Sequence, residues 1–196
     1  MPYSYREQPT DFTLSTYSGS GVNNGSNFSL SFVSGKPSAL VFFNTAASNG
    51  KNWIAKLGLL KNPSINIFIV AFKYENNNYI PCDLDTDVTP TIASSGGHDL
   101  FSMIPVVVDE TGDISKNQLL NLFGSNYFEF ATVAIDASYR IADKWTCLHN
   151  AGNWSCSFKH IKLTPDPGPF DGSNIDNATQ YLAQRLENLN SPLVLM

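Results

Sequence analysis

The sequence predicts an α/β fold: one mixed β-sheet with helices on both faces, arranged in three layers. Two observations carry this expectation. Ser38–Phe43 (SALVFF) and Ile65–Ala71 (INIFIVA) are continuous apolar runs rich in strand-forming residues, the pattern of strands buried on both faces. Between them Trp53, Ile54, Leu57, Leu59 and Leu60 recur at roughly helical spacing until the breaker Asn62-Pro63. Strand, helix and strand make a crossover, which demands a parallel pair joined in the right-handed sense. Only a sheet covered on both sides hides these runs together with a third, Ala131–Ile135.

The elements follow in order. Residues 1–10 are polar with aromatics and read as an N-terminal arm, and residues 11–196 as a single domain. Asp11–Tyr17 is a short alternating strand, and Phe28–Phe32 is expected to pair with it as an edge hairpin. The Gly/Ser/Asn run between them is a flexible turn rather than a phosphate loop, since no helix follows and no Lys-Ser or Lys-Thr closes it. Asn49 or Asn52 is available to cap the helix after Ser38–Phe43. Residues 73–102, with Asn76-Asn77-Asn78 and Ser94-Ser95-Gly96-Gly97, read as an extended loop with one short helix. Ile104–Val108 is a further strand, followed by a glycine-containing turn over Asp109–Asp113. Ser115–Phe123 then forms a helix with Leu119, Leu120, Leu122 and Phe123 inward and Gly124 as its stop. Phe130–Asp136 and Arg140–Thr146 make a hairpin around Ala137-Ser138-Tyr139. Residues 145–173 are a hairpin and proline-rich insertion, and the apolar stripe of Asn174–Asn190 predicts a closing helix over the second face.

Composition narrows the function. A net charge of −5 from 12 Lys and Arg against 17 Asp and Glu leaves no clustered cations for a phosphate backbone, so nucleic acid is excluded as a partner. No apolar run reaches the roughly 18 residues of a membrane span, and the start has no apolar signal core. The expectation is a soluble chain, cytoplasmic by default, or secreted if it is a mature fragment. The four sequons at Asn24, Asn27, Asn153 and Asn177 are close to what so Asn- and Ser-rich a composition supplies by chance. Asp83, Asp85 and Asp87 alternate and invite a calcium reading. Val88 stands where an EF-hand needs its turn glycine and Ser94 where it needs its bidentate Glu, so they read as a solvated acidic face. His98, His149 and His160 lack metal-ligand spacing. No metal or cofactor is implied.

Several segments, in order, resemble the redoxin branch of the thioredoxin-like superfamily, the branch of the thiol peroxidases of the alkyl hydroperoxide reductase and thiol-specific antioxidant kind and of the thiol-disulfide reductases. Asp11-Phe-Thr-Leu14 is similar to the family's opening strand, and Phe28–Pro37 to its lead into the first central strand. Ile65–Ala71, Ile104–Asp113 and Ala131–Ile141 match the later strands and the hairpin. The resemblance implies a thioredoxin-like three-layer sandwich, with the active site where Ser38–Phe43 runs into the next helix. There a thiolate gains from the helix dipole and unpaired N–H groups.

That stretch contains no cysteine. The reductase tetrad Cys-x-x-Cys falls on Ala47, Ser48, Asn49 and Gly50, and of the peroxiredoxin motif Pro-x-x-x-Thr-x-x-Cys only Thr45 remains, with Ser48 in place of the nucleophile. A serine hydroxyl without an adjacent base stays protonated near neutral pH. The family's active-site arginine falls on Phe130, and its cis-proline on Phe130 or Ala131. The resemblance therefore implies a degenerate site.

Three cysteines lie elsewhere. If Asn150-Ala-Gly-Asn153 closes a two-residue hairpin, Cys147 faces Cys156 at a non-hydrogen-bonded pair, which suits either a structural disulfide or two reduced, packed thiols. Cys82 follows Pro81 in a polar stretch and is the one alternative nucleophile. Two functions follow: a non-catalytic module binding a protein or small ligand at Thr45–Gly50 and the 73–102 excursion, or a thiol-dependent oxidoreductase working through Cys82.

Overall fold

The structure, a computed structural model, describes residues 7–16, 27–33, 35–47, 66–94, 106–124, 130–150 and 153–158. Among the described residues nine strands make the sheet: β1 Thr13–Thr16, β2 Asn27–Ser29, β3 Ser38–Asn44, β4 Asn66–Glu75, β5 Asn78–Ile80, β6 Val106–Val108, β7 Phe130–Ile135, β8 Ile141–Asn150 and β9 Asn153–Phe158. Their order is β2-β1-β6-β4-β3-β7-β8-β9, with β5 paired to the far end of β4. The pairs β3/β4 and β4/β6 are parallel, and all others are antiparallel. The sheet is therefore mixed, with β3 and β4 inside it as their unbroken apolar runs require. The helix predicted over 53–60 and the closing helix over 174–190 lie outside the described residues.

Both faces of the inner strands are buried. Leu40, Phe42, Val70, Phe72, Ala131 and Val133 belong to one apolar core with Leu119 and Leu122. The alternate residues Ala39, Val41, Phe43, Ile69, Ala71 and Ala134 are buried as well. The first face is covered by the helix Asp113–Phe123, here α2, which ends where Gly124 takes φ 73° and its N–H bonds the Leu120 carbonyl.

Three expectations are corrected. The strand expected over 28–32 ends at Ser29, and Leu30–Val33 is a 3₁₀ turn. Asp11 draws the chain aside by accepting hydrogen bonds from the Ser31 N–H at 3.0 Å and the Ser29 hydroxyl at 2.9 Å. Burial raises the Asp11 pKa, but the bonds from Ser31, Ser29 and Phe12 outweigh it and hold the carboxyl below its ordinary value. Secondly, Leu120 is not inward. It is 49% exposed, whereas Leu119 is fully buried. Around a helix the inward line through Leu119 and Leu122 continues back to Ser115 and Gln118, both of which are buried.

Thirdly, residues 73–94 are not loop. β4 runs on to Glu75 and turns at Asn76 and Asn77, with φ of 50° and 64°, into β5. Positive φ at both central residues is a type I′ turn, whose twist matches a hairpin and which asparagine tolerates. A π-helical turn over Leu84–Val88 and a short helix α1, Thr89–Ser94, follow. Asp83, Asp85 and Asp87 do not form a face of an extended segment. Asp83 caps the turn by accepting from the N–H groups of Asp85 and Thr86, both at 2.9 Å. Those bonds, the one to the Thr86 N–H first, hold its carboxyl below the usual range. Asp87 pairs with Lys73 at 2.7 Å and accepts from the Asp83 N–H at 2.9 Å.

The positions of Leu119 and Leu120 make a direct comparison. Leu119→Ala should cost about 2–5 kcal/mol of folding free energy, and Leu120→Ala less than about 0.5 kcal/mol. Urea unfolding of the two variants beside the parent checks this.

Candidate functional site

β3 ends at Asn44, whose paired partner on β4 is Phe72, while β4 itself continues to Glu75. The Asn44 side chain, 2% exposed, bridges the difference. Its Nδ2 donates to the Tyr74 carbonyl at 2.9 Å, and its Oδ1 accepts from the Tyr74 N–H at 2.9 Å and the Ala46 N–H at 3.1 Å. The amide thereby stands in for one more residue of the parallel ladder. Thr45 leaves the strand with its N–H donating to the Phe72 carbonyl at 2.8 Å and its hydroxyl donating to the same oxygen at 3.3 Å. The Ala47 N–H donates back to the Asn44 carbonyl at 3.1 Å, closing a tight turn.

Cys82 stands against this turn. The β4–β5 hairpin folds over the loop between β6 and α2, where Tyr79 packs onto Gly112. A Cβ at Gly112 would lie 2.9 Å from Tyr79 Cδ1, and its φ of 79° disfavours any side chain. The chain is then held by the Cys82 N–H donating to the Glu110 carbonyl at 2.9 Å. Cys82 Sγ comes to 3.9 Å from Thr45 Oγ1. Cys82 and Thr45 are thus neighbours, although 37 positions separate them.

The thiol is 2% exposed. Burial pushes its pKa up to about 12, the Thr45 hydroxyl and Lys73 opposing this and Asp87 and Asp109 reinforcing it. At neutral pH the thiol is therefore held in its protonated form. Asp109, also buried, is engaged in accepting from the N–H groups of Gly112 at 3.0 Å and Ser115 at 2.5 Å at the start of α2. Among the described residues no group of His, Cys, Asp and Glu is placed to hold a metal ion.

Phe130 and Ala131 are carried to the same level of the sheet, paired with Phe43 and Phe42. Ala131 belongs to the apolar core on the α2 side. Ser48, Asn49 and Gly50 lie outside the described residues. The backbone register sets Cys147 opposite Cys156. The sequence reading did not single out Asn44. Its signal is a polar amide ending an otherwise apolar buried strand.

The fold has counterparts among solved structures. A thiol:disulfide interchange protein from Bacteroides sp. superposes with a TM-score of 0.58 at 13% identity, over 99% of this chain and 95% of that one. The thioredoxin domain of a thiol-disulfide oxidoreductase from Bacteroides vulgatus gives 0.52 at 14% identity, over 72% of this chain and 88% of its own. A secreted Mycobacterium tuberculosis disulfide oxidoreductase gives 0.50 at 14% identity, over 90% and 95%. Neither a protein-family model nor a curated protein matches the sequence. The chain therefore has the thioredoxin-like fold. Among the described residues no helix is long and apolar enough to cross a membrane.

Two outcomes test the site's construction. Asn44→Ala would remove the side chain's bonds to the Tyr74 N–H and carbonyl, at about 0.5–1.5 kcal/mol for each bond, read as a lower urea midpoint. The raised Cys82 pKa has a definite sign. Between its ordinary value of 9.0 and about 12 the unfolded chain has lost the thiol proton while the native chain keeps it. The native state then binds more protons, so stability contributed by this group is complete below pH 9.0 and falls as pH rises through that window. Urea titrations from pH 8 upward should show a shallower decline for Cys82→Ala than for the parent.

Proposed function

We propose that this domain is a non-catalytic binding or interaction module of the redoxin type, using the end of β3 and the 73–94 excursion to engage a protein or a small ligand. One observation carries the reading. The thiol beside Thr45 is enclosed and its pKa is pushed up to about 12, the reverse of what a redox cysteine needs. Thiol-disulfide exchange and peroxide reduction both proceed through a thiolate. Enzymes obtain it by a helix N-terminus, a neighbouring cation and partial exposure. The remaining groups at the turn, the Thr45 hydroxyl and the Ala47 side chain, supply no soft nucleophile.

The resemblance adds the same direction of argument. Ala47, Ser48, Asn49 and Gly50 occupy the tetrad positions, and Phe130 and Ala131 those of the supporting arginine and cis-proline. Loss of the sulfurs together with their supports fits a site released from redox chemistry. The structural counterparts named as oxidoreductases bear on the fold, which hosts many activities, and leave the chemistry to the residues present.

The test is turnover. Peroxide consumption, and insulin reduction with dithiothreitol, should equal the protein-free rate, and Cys82→Ala should change neither. Ser48→Cys alone should remain inactive, since one sulfur does not restore the missing arginine. Turnover abolished by Cys82→Ala would replace this reading with a thiol oxidoreductase acting through Cys82. Turnover abolished by Ser48→Ala would place chemistry at the Thr45–Gly50 turn.

A further inference from the structure

We infer that Cys147 and Cys156 form a cross-strand disulfide that clips the edge strand β9 to β8 in an oxidising environment. The inference rests on backbone register and is independent of the binding reading above. β8 and β9 are antiparallel, and their partners run Trp145 with Phe158, Cys147 with Cys156 and Asn150 with Asn153. Asn150 and Asn153 are the register pair next to the two intervening residues, and where two residues join antiparallel strands the closing pair is the hydrogen-bonded one. Pairs then alternate outward, so 149 with 154 is non-hydrogen-bonded, 148 with 155 hydrogen-bonded and 147 with 156 non-hydrogen-bonded. Cα atoms of such a pair lie about 4.5 Å apart, within the span a disulfide bridges, and directly opposed residues share one face of the pleat. A shift of one residue in either strand would remove this geometry. The observed register has no such shift between these strands.

The location gives the bridge a purpose. β9 ends the described sheet and pairs with β8 alone, and an edge strand held on one side opens more readily than an inner one. The cysteine pair also lies in one row across the sheet, in which Phe43 pairs with Phe130, Phe130 with Cys147 and Cys147 with Cys156. It fastens the edge at the level where β3 turns into Asn44 and Thr45, Cys147 lying two strand spacings, about 10 Å, and Cys156 three, about 14 Å, from Phe43.

With glutathione disulfide as oxidant the step balances. One protein thiolate attacks a glutathione sulfur, forming a mixed disulfide and releasing one glutathione thiolate. The second protein thiolate attacks the protein sulfur of that mixed disulfide, forming the Cys147–Cys156 bond and releasing the second glutathione. Two electrons pass from the two protein thiols to the oxidant, and the two protons the thiols lose are taken up by the two glutathione thiolates.

The experiment exposes native full-length protein to glutathione disulfide, unfolds it without reductant, alkylates it and digests it with trypsin. The chain has three cysteines, and cleavage after Lys144 and Lys159 leaves Cys147 and Cys156 together in the peptide Trp145–Lys159, apart from Cys82. The expected result is that this peptide carries no alkyl group and is about 2 Da lighter than its reduced form, with alkylation confined to Cys82. Cys156→Ser should stop at a glutathione adduct on Cys147. The oxidised parent should also show a higher urea midpoint than its reduced form, and Cys147→Ser/Cys156→Ser should show no dependence on oxidant. A doubly alkylated peptide, a persisting glutathione adduct on the parent, or a midpoint lowered by oxidation would each overturn the inference.

Discussion

The amide of Asn44 holds the place where two parallel strands of unequal length part. β3 stops at Asn44 while β4 runs on to Glu75, and the backbone of Tyr74 would otherwise face a vacant position in the ladder. A carboxamide has one acceptor and one donor set at the separation of a peptide's own, so it can satisfy both the N–H and the carbonyl of Tyr74 at once. No aliphatic residue could do this, and an ionised carboxylate would meet the Tyr74 carbonyl without a donor. Once β4 is held in this extended form it has length enough to turn through Asn76 and Asn77 into β5. That hairpin brings Pro81 and Cys82 back over the end of β3. The contact between Cys82 and Thr45 is thus a consequence of how β3 is terminated.

The same geometry decides the electrostatics. Lys73 lies on the overrun of β4 and would favour a thiolate at Cys82, but its ammonium is paired to Asp87, which itself serves the backbone of Asp83. Asp109 is committed to the start of α2. Lys73 and Asp87 are therefore occupied within the excursion and Asp109 at the start of α2, and the opposing charges leave burial as the leading influence on the thiol. The Thr45 hydroxyl oxygen, 3.9 Å from Cys82 Sγ, opposes the rise in the thiol's pKa, and burial outweighs it.

What the sequence conveyed depended on whether a signal was local. β3, β4 and β7 were legible because a strand buried on both faces has to be apolar without interruption. The stop at Gly124 was legible because a left-handed residue there favours glycine. Leu120 was assigned inward on hydrophobicity, whereas the angle set by Leu119 and Leu122 turns it outward. Residues 73–94 looked like loop because asparagine and aspartate are common in loops. The same residues also make type I′ turns and helix caps, and Asn76-Asn77 and Asp83 do so here. The partnership of Cys82 with Thr45 had no local signal at all. It arises from a hairpin, a close approach at Gly112 and a strand end that are remote from one another in the chain.

The separation between what folds the chain and what could give it chemistry explains how a thioredoxin-like sheet persists at 13–14% identity to its structural counterparts. The sheet's stability comes from runs such as Leu40–Phe43 and Ile69–Phe72, whose side chains are almost wholly buried. At the turn the fold asks only that backbone groups be satisfied, and Asn44, Thr45 and Ala47 do this through two side chains and their own N–H groups. A cysteine in the turn would add reactivity without being required by any of these bonds. Ala131, buried in the core with Val133, holds a position governed by packing.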